Sequence, residues 1–291
     1  MAPGGFCFLV IILLHTTLPV QENFIMGTDL ASHDVWDSGD SYEPYVGRWS
    51  RLVAREFIPW LDVPENRNWL DVGCGTGALS QTVVQMAAPH KLKGIDRSTG
   101  FLEVARRRTN PPAEFEAGDA QALPVEPGSY DVAISGLVLN FVPEPERMVA
   151  EMRRAVCEGG TVALYVWDYA GKMQFLRHFW NAATALDPAA REFDEGRRFP
   201  LCHPDALTQL FQKAGLTGTQ TRPIDISTDF KDFDDYWAPF LGGQGSAPGY
   251  AMSLSEDRRV QLRERLYTSL PFALDGSIPL IARAWAVRGV K

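Results

Sequence analysis

Two periodicities of apolar positions succeed one another along the chain. Trp49, Leu52, Val53, Phe57 and Trp60 recur at i, i+3, i+4, i+8 and i+11, which predicts one buried face of a helix that Pro64 and the following turn residues close. Short β-type runs then alternate with helical stretches, at residues 69–72, 91–95, 113–117, 130–135 and 161–167, the pattern of βαβ units around a parallel sheet. Met148, Met152, Ala155 and Val156 lie on one side of a helix that Gly159-Gly160 ends, and Pro204 opens another that carries Leu207, Leu210, Phe211 and Ala214 up to Gly215. Two further β-type runs, 217–226 and 277–287, end the chain. Residues 229–275 between them are too long for a plain connection and are expected to be a functional helical insert or lid. It reads as a helix over 233–241, a glycine-rich loop over 242–249 and a helix opened by a capping box, Ser253 to Glu256.

Composition narrows the class without naming it. With 291 residues, 45% hydrophobic and 22% charged, the chain has enough apolar material for a sizeable core, which excludes disorder and fibrous repeats. Lys and Arg number 28 against 36 Asp and Glu, a net charge of -8, the wrong sign for a protein that binds by neutralising phosphates. Cys7, Cys74, Cys157 and Cys202 form no C-x-x-C pair and no metal-ligand spacing, so reduced thiols in a cytoplasmic protein fit best. The apolar run 6–14 is shorter than the roughly 20 residues that span a bilayer. No Lys or Arg precedes Arg48, so a secretion signal would lack its positive region. The preferred reading takes Met26 as the start and 1–41 as an extension outside the fold, a weak secretion signal being the other, and 42–291 is expected to form one domain.

The chemistry concentrates after the first strand. Trp69-Leu70-Asp71-Val72 runs directly into Gly73-Cys74-Gly75-Thr76-Gly77, three alternate glycines that permit a tight turn and close backbone approach to a ligand at the sheet's C-terminal edge. Gly73-x-Gly75-x-x-Ala78 also satisfies a loose dinucleotide fingerprint, which keeps an NAD(P)-dependent oxidoreductase open. Asp96 ends the second strand about 20 residues further on, where a carboxylate accepts ribose hydroxyls in either case. Gly118-Asp119-Ala120 closes the third strand and offers a short carboxylate to an exocyclic amine. Ser135 to Asn140 follow the fourth strand.

Together Asp71 to Gly77, Gly94-Ile95-Asp96, Gly118 to Pro124 and Tyr130 to Ser135 resemble the class I S-adenosylmethionine-dependent methyltransferases, above all the small-molecule branch that includes the ubiquinone and menaquinone biosynthesis enzymes. The resemblance covers residues 42–287. It implies an α/β, Rossmann-like, seven-stranded and mostly parallel sheet with helices on both faces, and S-adenosylmethionine lying across the strand ends. It further implies that Gly73, Gly75 and Gly77 pass beneath the methionine and ribose portions, with Asp71 near the amino-acid end. Asp96 would hold the ribose hydroxyls, Asp119 and the Ala120 N–H the adenine, and the Ser135 carbonyl the methionine moiety. The segment 42–50 resembles the helix that closes over the cofactor in this branch, so Tyr45 or Arg48 would meet the cofactor carboxylate.

A sulfonium methyl is already activated, and the protein mainly needs to hold an acceptor in line with it and exclude water. Should a base assist, His178 and Asp168 are the candidates, with Tyr169 and Tyr236 as polar aromatics. Trp167, Phe175, Trp180, Tyr236, Trp237 and Phe240 fit either the lining of an apolar acceptor pocket or plain burial of the insert. The expected partner is a small-molecule acceptor, with no nucleic acid, metal or membrane. The alternatives are the nicotinamide enzyme, a protein of this fold that transfers a different group or only binds the cofactor, and a methyltransferase-fold protein acting on protein or RNA. Asn110-Pro111-Pro112 resembles a DNA-methyltransferase motif but precedes the third strand and reads as a helix stop.

Overall fold

The structure, a computed structural model, describes Met1, residues 48–242 and residues 245–291. Apart from Met1, the expected extension over 1–41 lies outside the described residues, as do Tyr45 and the side chain of Arg48. Helix α1 (Arg48–Trp60) leads into a repeating series: β1 (Asn68–Val72), α2 (Ala78–Met86), β2 (Lys91–Asp96), α3 (Thr99–Arg108), β3 (Ala113–Ala117), β4 (Tyr130–Gly136), α4 (Pro145–Ala155) and β5 (Val156–Trp167). Then follow α5 (Gln174–Leu186), α6 (Glu195–Arg198), α7 (Pro204–Lys213), β6 (Thr217–Ser227), α8 (Phe233–Trp237), α9 (Ser246–Ser253), α10 (Glu256–Ser269) and β7 (Ile281–Val290).

The seven strands form one sheet in the order β3-β2-β1-β4-β5-β7-β6, parallel throughout except for β7, which runs antiparallel to both β5 and β6. Central strands read as nearly continuous apolar runs because helices cover both faces. Trp69, Leu70, Val72, Val132, Ala133 and Ile134 are all buried. The edges are blunted differently. On β3, Glu114 and Glu116 pair with Lys91 and Lys93 of β2, whereas β6 carries Pro223, which an edge tolerates.

Helix α1 presents Trp49, Val53, Ala54, Phe57 and Ile58 to the core, while Leu52, assigned to that face by its spacing, is 40% exposed. The buried stripe is therefore rotated toward the i+1 neighbours of the expected one. Through Trp49 the helix meets Phe175 of α5 and Phe230 of the insert, with ring centroids 5.4 and 5.5 Å apart. The expected helix over 233–241 is a short α8 continued by a 3-10 turn, Ala238–Leu241. The capping box is two residues out of register: Ser253 ends α9, and Ser255 caps α10 by accepting from Arg258 N–H.

Glu195, at the start of α6, is 5% exposed and accepts from the Trp180 indole N–H, while the neighbouring Asp194 takes the Arg177 guanidinium. Burial pushes the Glu195 carboxyl up to about 7. The native state then holds its proton over a pH range in which the unfolded chain has lost it, so stability falls as pH rises from the ordinary carboxylate range through about 7. Glu195→Gln is expected to be nearly neutral at pH 5 and to stabilise the fold by about 2–3 kcal/mol at pH 8. Thermal unfolding at the two pH values checks this, and a variant that tracks the parent at both would contradict it.

Candidate functional site

The strand order reverses between β1 and β4, and at such a switch point the outgoing loops diverge and leave a crevice at the C-terminal strand ends. The chain fills it with the turn from Gly73 to Gly77. Gly73, Gly75 and Gly77 all have left-handed φ, at 72°, 54° and 85°. The turn is anchored to β2: Gly73 N–H and Cys74 N–H donate to Ile95 O at 2.7 and 3.0 Å, and Gly75 N–H donates to Asp96 Oδ2 at 2.8 Å. Asp96 Oδ1 accepts from Ser98 N–H at 2.9 Å. A Cβ at Gly73 would lie 2.6 Å from the Val138 side chain, whereas one at Gly75 would meet nothing within 4 Å.

The cleft has two lobes that share Gly73, Asp96, Val138 and Phe141 as walls. One lobe, about 150 Å3, is bounded by Asp71, Gly75 and Thr76 and by Ser50, Phe101, Gly136, Leu137 and Tyr165. The other, about 220 Å3, is bounded by Arg97, Gly118, Asp119, Ala120 and Gln121. Together they fall within the roughly 300–1,000 Å3 of small-molecule sites.

Two carboxylates, Asp71 buried and Asp96 half-buried, stand in these mostly apolar walls. Asp71 is fully buried, and its Oδ2 accepts from the Ser80 hydroxyl at 2.6 Å while Oδ1 has no hydrogen-bond partner among the described residues. Burial pushes its carboxyl up to about 7, with Asp96 adding repulsion. Burial likewise raises the pKa of Asp96. Asp119 differs: the Gln121 backbone N–H at 2.8 Å holds its pKa below the usual value. Such a site suits a ligand with cationic and hydroxyl groups.

Of the residues expected from sequence, Asp71, Gly73, Gly75, Asp96, Asp119 and Ala120 come together around the cleft. Gly77 instead caps α2. Ser135 is buried within β4, its hydroxyl donating to Val72 O at 2.7 Å, and its neighbour Gly136 forms the wall in its place. His178 and Asp168 are not among the wall residues. The Asp168 carboxylate is engaged by the Gly171 and Lys172 N–H groups at 3.0 and 2.9 Å, a turn after β5. His178 sits half-buried on α5, where burial lowers its pKa.

Of the two readings open for the aromatic residues after β5 and in the insert, the packing matches burial in the core. Phe240 stacks on Phe175 and Phe179 at 4.6 and 4.4 Å, and the Tyr236 hydroxyl donates to Phe175 O. No described residue of 229–275 lines either lobe. The aromatic walls are Phe101, Phe141 and Tyr165, which sequence reasoning missed because they come from α3, the loop after β4 and β5 with no shared local motif.

The sequence matches the family described as "methyltransferase domain" over residues 70–164. It is 34% identical over 209 residues to a ubiquinone biosynthesis O-methyltransferase of Burkholderia pseudomallei, spanning 68% of this chain and 83% of that protein. An uncharacterized 37.1 kDa protein in transposon TN4556 of Streptomyces fradiae is 39% identical over 118 residues, and there the match spans only 34% of the relative's length. Among solved structures, the fold is similar to that of Haemonchus contortus phosphoethanolamine N-methyltransferase 2 in complex with S-adenosyl-L-methionine. The TM-score is 0.53 at 16% identity, covering 87% of this chain and 56% of that one. The chain belongs to the class I S-adenosylmethionine-dependent methyltransferases, of the ubiquinone and menaquinone type. It is a methyltransferase whose cofactor is S-adenosylmethionine.

Proposed function

We propose that the protein methylates a small, largely apolar and planar acceptor, with a phenolic or quinol hydroxyl as the first class to examine. The observation that carries this reading is a cleft whose mostly apolar walls hold the half-buried Asp96 and the buried Asp71, one oxygen of which has no partner among the described residues. A buried unpaired carboxylate oxygen is costly unless a donor completes it, and the cationic amino end of S-adenosylmethionine is such a donor. In this reading Asp71 meets the amino end, Asp96 accepts the ribose hydroxyls, and Asp119 with the Ala120 N–H takes the adenine. Gly73 and Gly75 let the backbone pass close beneath the ligand. Tyr45, ahead of α1, and Arg48, its first residue, would meet the cofactor carboxylate.

Bound S-adenosylmethionine supplies an activated sulfonium methyl. The chain's own contribution is to orient the ligands, to exclude water with Phe101, Leu137, Val138 and Phe141, and to hold the acceptor in line. Phe141 is 39% exposed and packs edge-on against Phe199 at 5.5 Å, which marks the acceptor's entry in this reading. Support for a small acceptor comes from the relative named for ubiquinone biosynthesis and from the net charge of -8, which disfavours RNA. A cytoplasmic location belongs to the same reading, and the described cysteines Cys74, Cys157 and Cys202 are free thiols. No described helix is long and apolar enough to cross a membrane.

The test is S-adenosylhomocysteine formation from S-adenosylmethionine with a panel of catechols and quinols, set against unfolded protein and RNA as acceptors. Turnover with the phenolic panel alone is the expected result. Turnover with protein or RNA alone would overturn the acceptor class.

A further inference from the structure

Ser80, the third residue of α2, is completely buried, a position where a serine offers little packing and no helix preference. A helical serine or threonine usually returns its hydroxyl to the carbonyl one turn back, as Thr82 does to Ala78 O at 2.9 Å. Ser80 instead reaches out of its helix to Asp71 Oδ2 at 2.6 Å, and its backbone N–H faces the same carboxylate. One carboxylate oxygen is thereby fixed, and the other has no partner among the described residues, on a residue that forms the cleft wall. We propose that Ser80 is a positioning residue for the cofactor: its hydroxyl holds Asp71 in the one orientation that leaves Oδ1 for the amino end of S-adenosylmethionine. This rests on the reading of Asp71 given above.

The surroundings leave Ser80 as the adjustable part. Among the described residues, the titratable groups facing Asp71 are Asp96 from β2 and Cys74 in the turn, and both disfavour its charge or are disfavoured by it. On the other side β4 contributes Ser135, whose hydroxyl is committed to Val72 O. Burial alone drives Asp71 toward its protonated form, and the Ser80 hydrogen bond pulls the other way. Loss of that bond would both unfix the carboxylate and favour its neutral form, so binding of an amino-bearing ligand should fail at a higher pH than in the parent.

The experiment is calorimetry on the full chain with two probes, S-adenosylhomocysteine and 5′-methylthioadenosine, which lacks the amino-acid end, across pH 6 to 8.5. Ser80→Ala is expected to weaken S-adenosylhomocysteine about tenfold, the worth of one hydrogen bond to a charged group. Methylthioadenosine should stay within about twofold, the acid limb of S-adenosylhomocysteine binding should move to higher pH, and Ser80→Thr should restore part of the loss. Ser80→Cys, close in volume with a weak donor, gives the same readout should the alanine variant unfold. Equal weakening of both probes would mean a merely structural serine and overturn the proposal. A selective loss in Asp71→Asn without one in Ser80→Ala would overturn it too, leaving the Asp71 reading intact. An Asp71→Asn variant with an unchanged ratio of the two affinities would overturn both.

Discussion

Asp96→Ala should lose S-adenosylhomocysteine binding by at least about a hundredfold while still folding. The carboxylate does two things at once. It terminates the glycine turn by accepting from Gly75 N–H and Ser98 N–H, and it forms a wall common to both lobes of the cleft. Alanine leaves two backbone donors without their acceptor, each costing about 1–3 kcal/mol, and removes the acceptor proposed for the ribose. Asp96→Asn retains one acceptor oxygen and should fall between, about tenfold weaker than the parent. Calorimetry against circular dichroism separates binding from folding. An Asp96→Ala variant that binds like the parent would sink the placement of the ribose.

Gly77→Val should destabilise the fold by about 3 kcal/mol or more. Gly77 has φ 85°, a conformation that a β-branched residue adopts only with strain, and its Cβ would come within 2.9 Å of Thr109 Oγ1 and 3.2 Å of the Ala105 backbone on α3. The position thus packs α2 against α3 without touching the ligand cleft. Gly75→Ala makes the contrast. Its φ is also left-handed, but the added methyl meets nothing within 4 Å, so a stability loss of about 1 kcal/mol is expected. That open space is a cleft wall, however, and the methyl should abolish cofactor binding. Urea midpoints beside binding isotherms distinguish the two glycines, and a Gly77→Val midpoint equal to that of Gly75→Ala would contradict the assignment.

The first four strands were legible because short β-type runs that end in or run into Gly or Asp carry their own signal: β3, though an exposed edge strand, agrees residue for residue, and β1, β2 and β4 differ by one residue at an end. β5 begins at Val156, five residues before its apolar run, since Cys157-Glu158-Gly159-Gly160 has no β character and is held by pairing of Tyr130 with Val156. β7 starts later than expected because Ile278 makes only an isolated bridge to Phe230. Local chemistry also misplaced the cap of α10, where Ser253 and Ser255 offer competing hydroxyls and only the packing of α9 decides between them. The polar half of the cleft was readable because Asp71, Gly73, Asp96 and Asp119 sit at strand ends, which topology brings to one edge. The apolar half was not. Phe101 and Tyr165 reach the cleft from separate elements, while the aromatic cluster around Phe175 and Phe240, equally prominent in the sequence, is spent on burying the insert.

The most direct measurement of the central claim is calorimetric titration of the full chain with S-adenosylhomocysteine and, separately, with NAD(H). Micromolar binding of S-adenosylhomocysteine, weakened by Asp96→Ala, with no heat from NAD(H), is the expected result. Binding of NAD(H) alone would contradict the account and turn the glycine turn over to hydride chemistry.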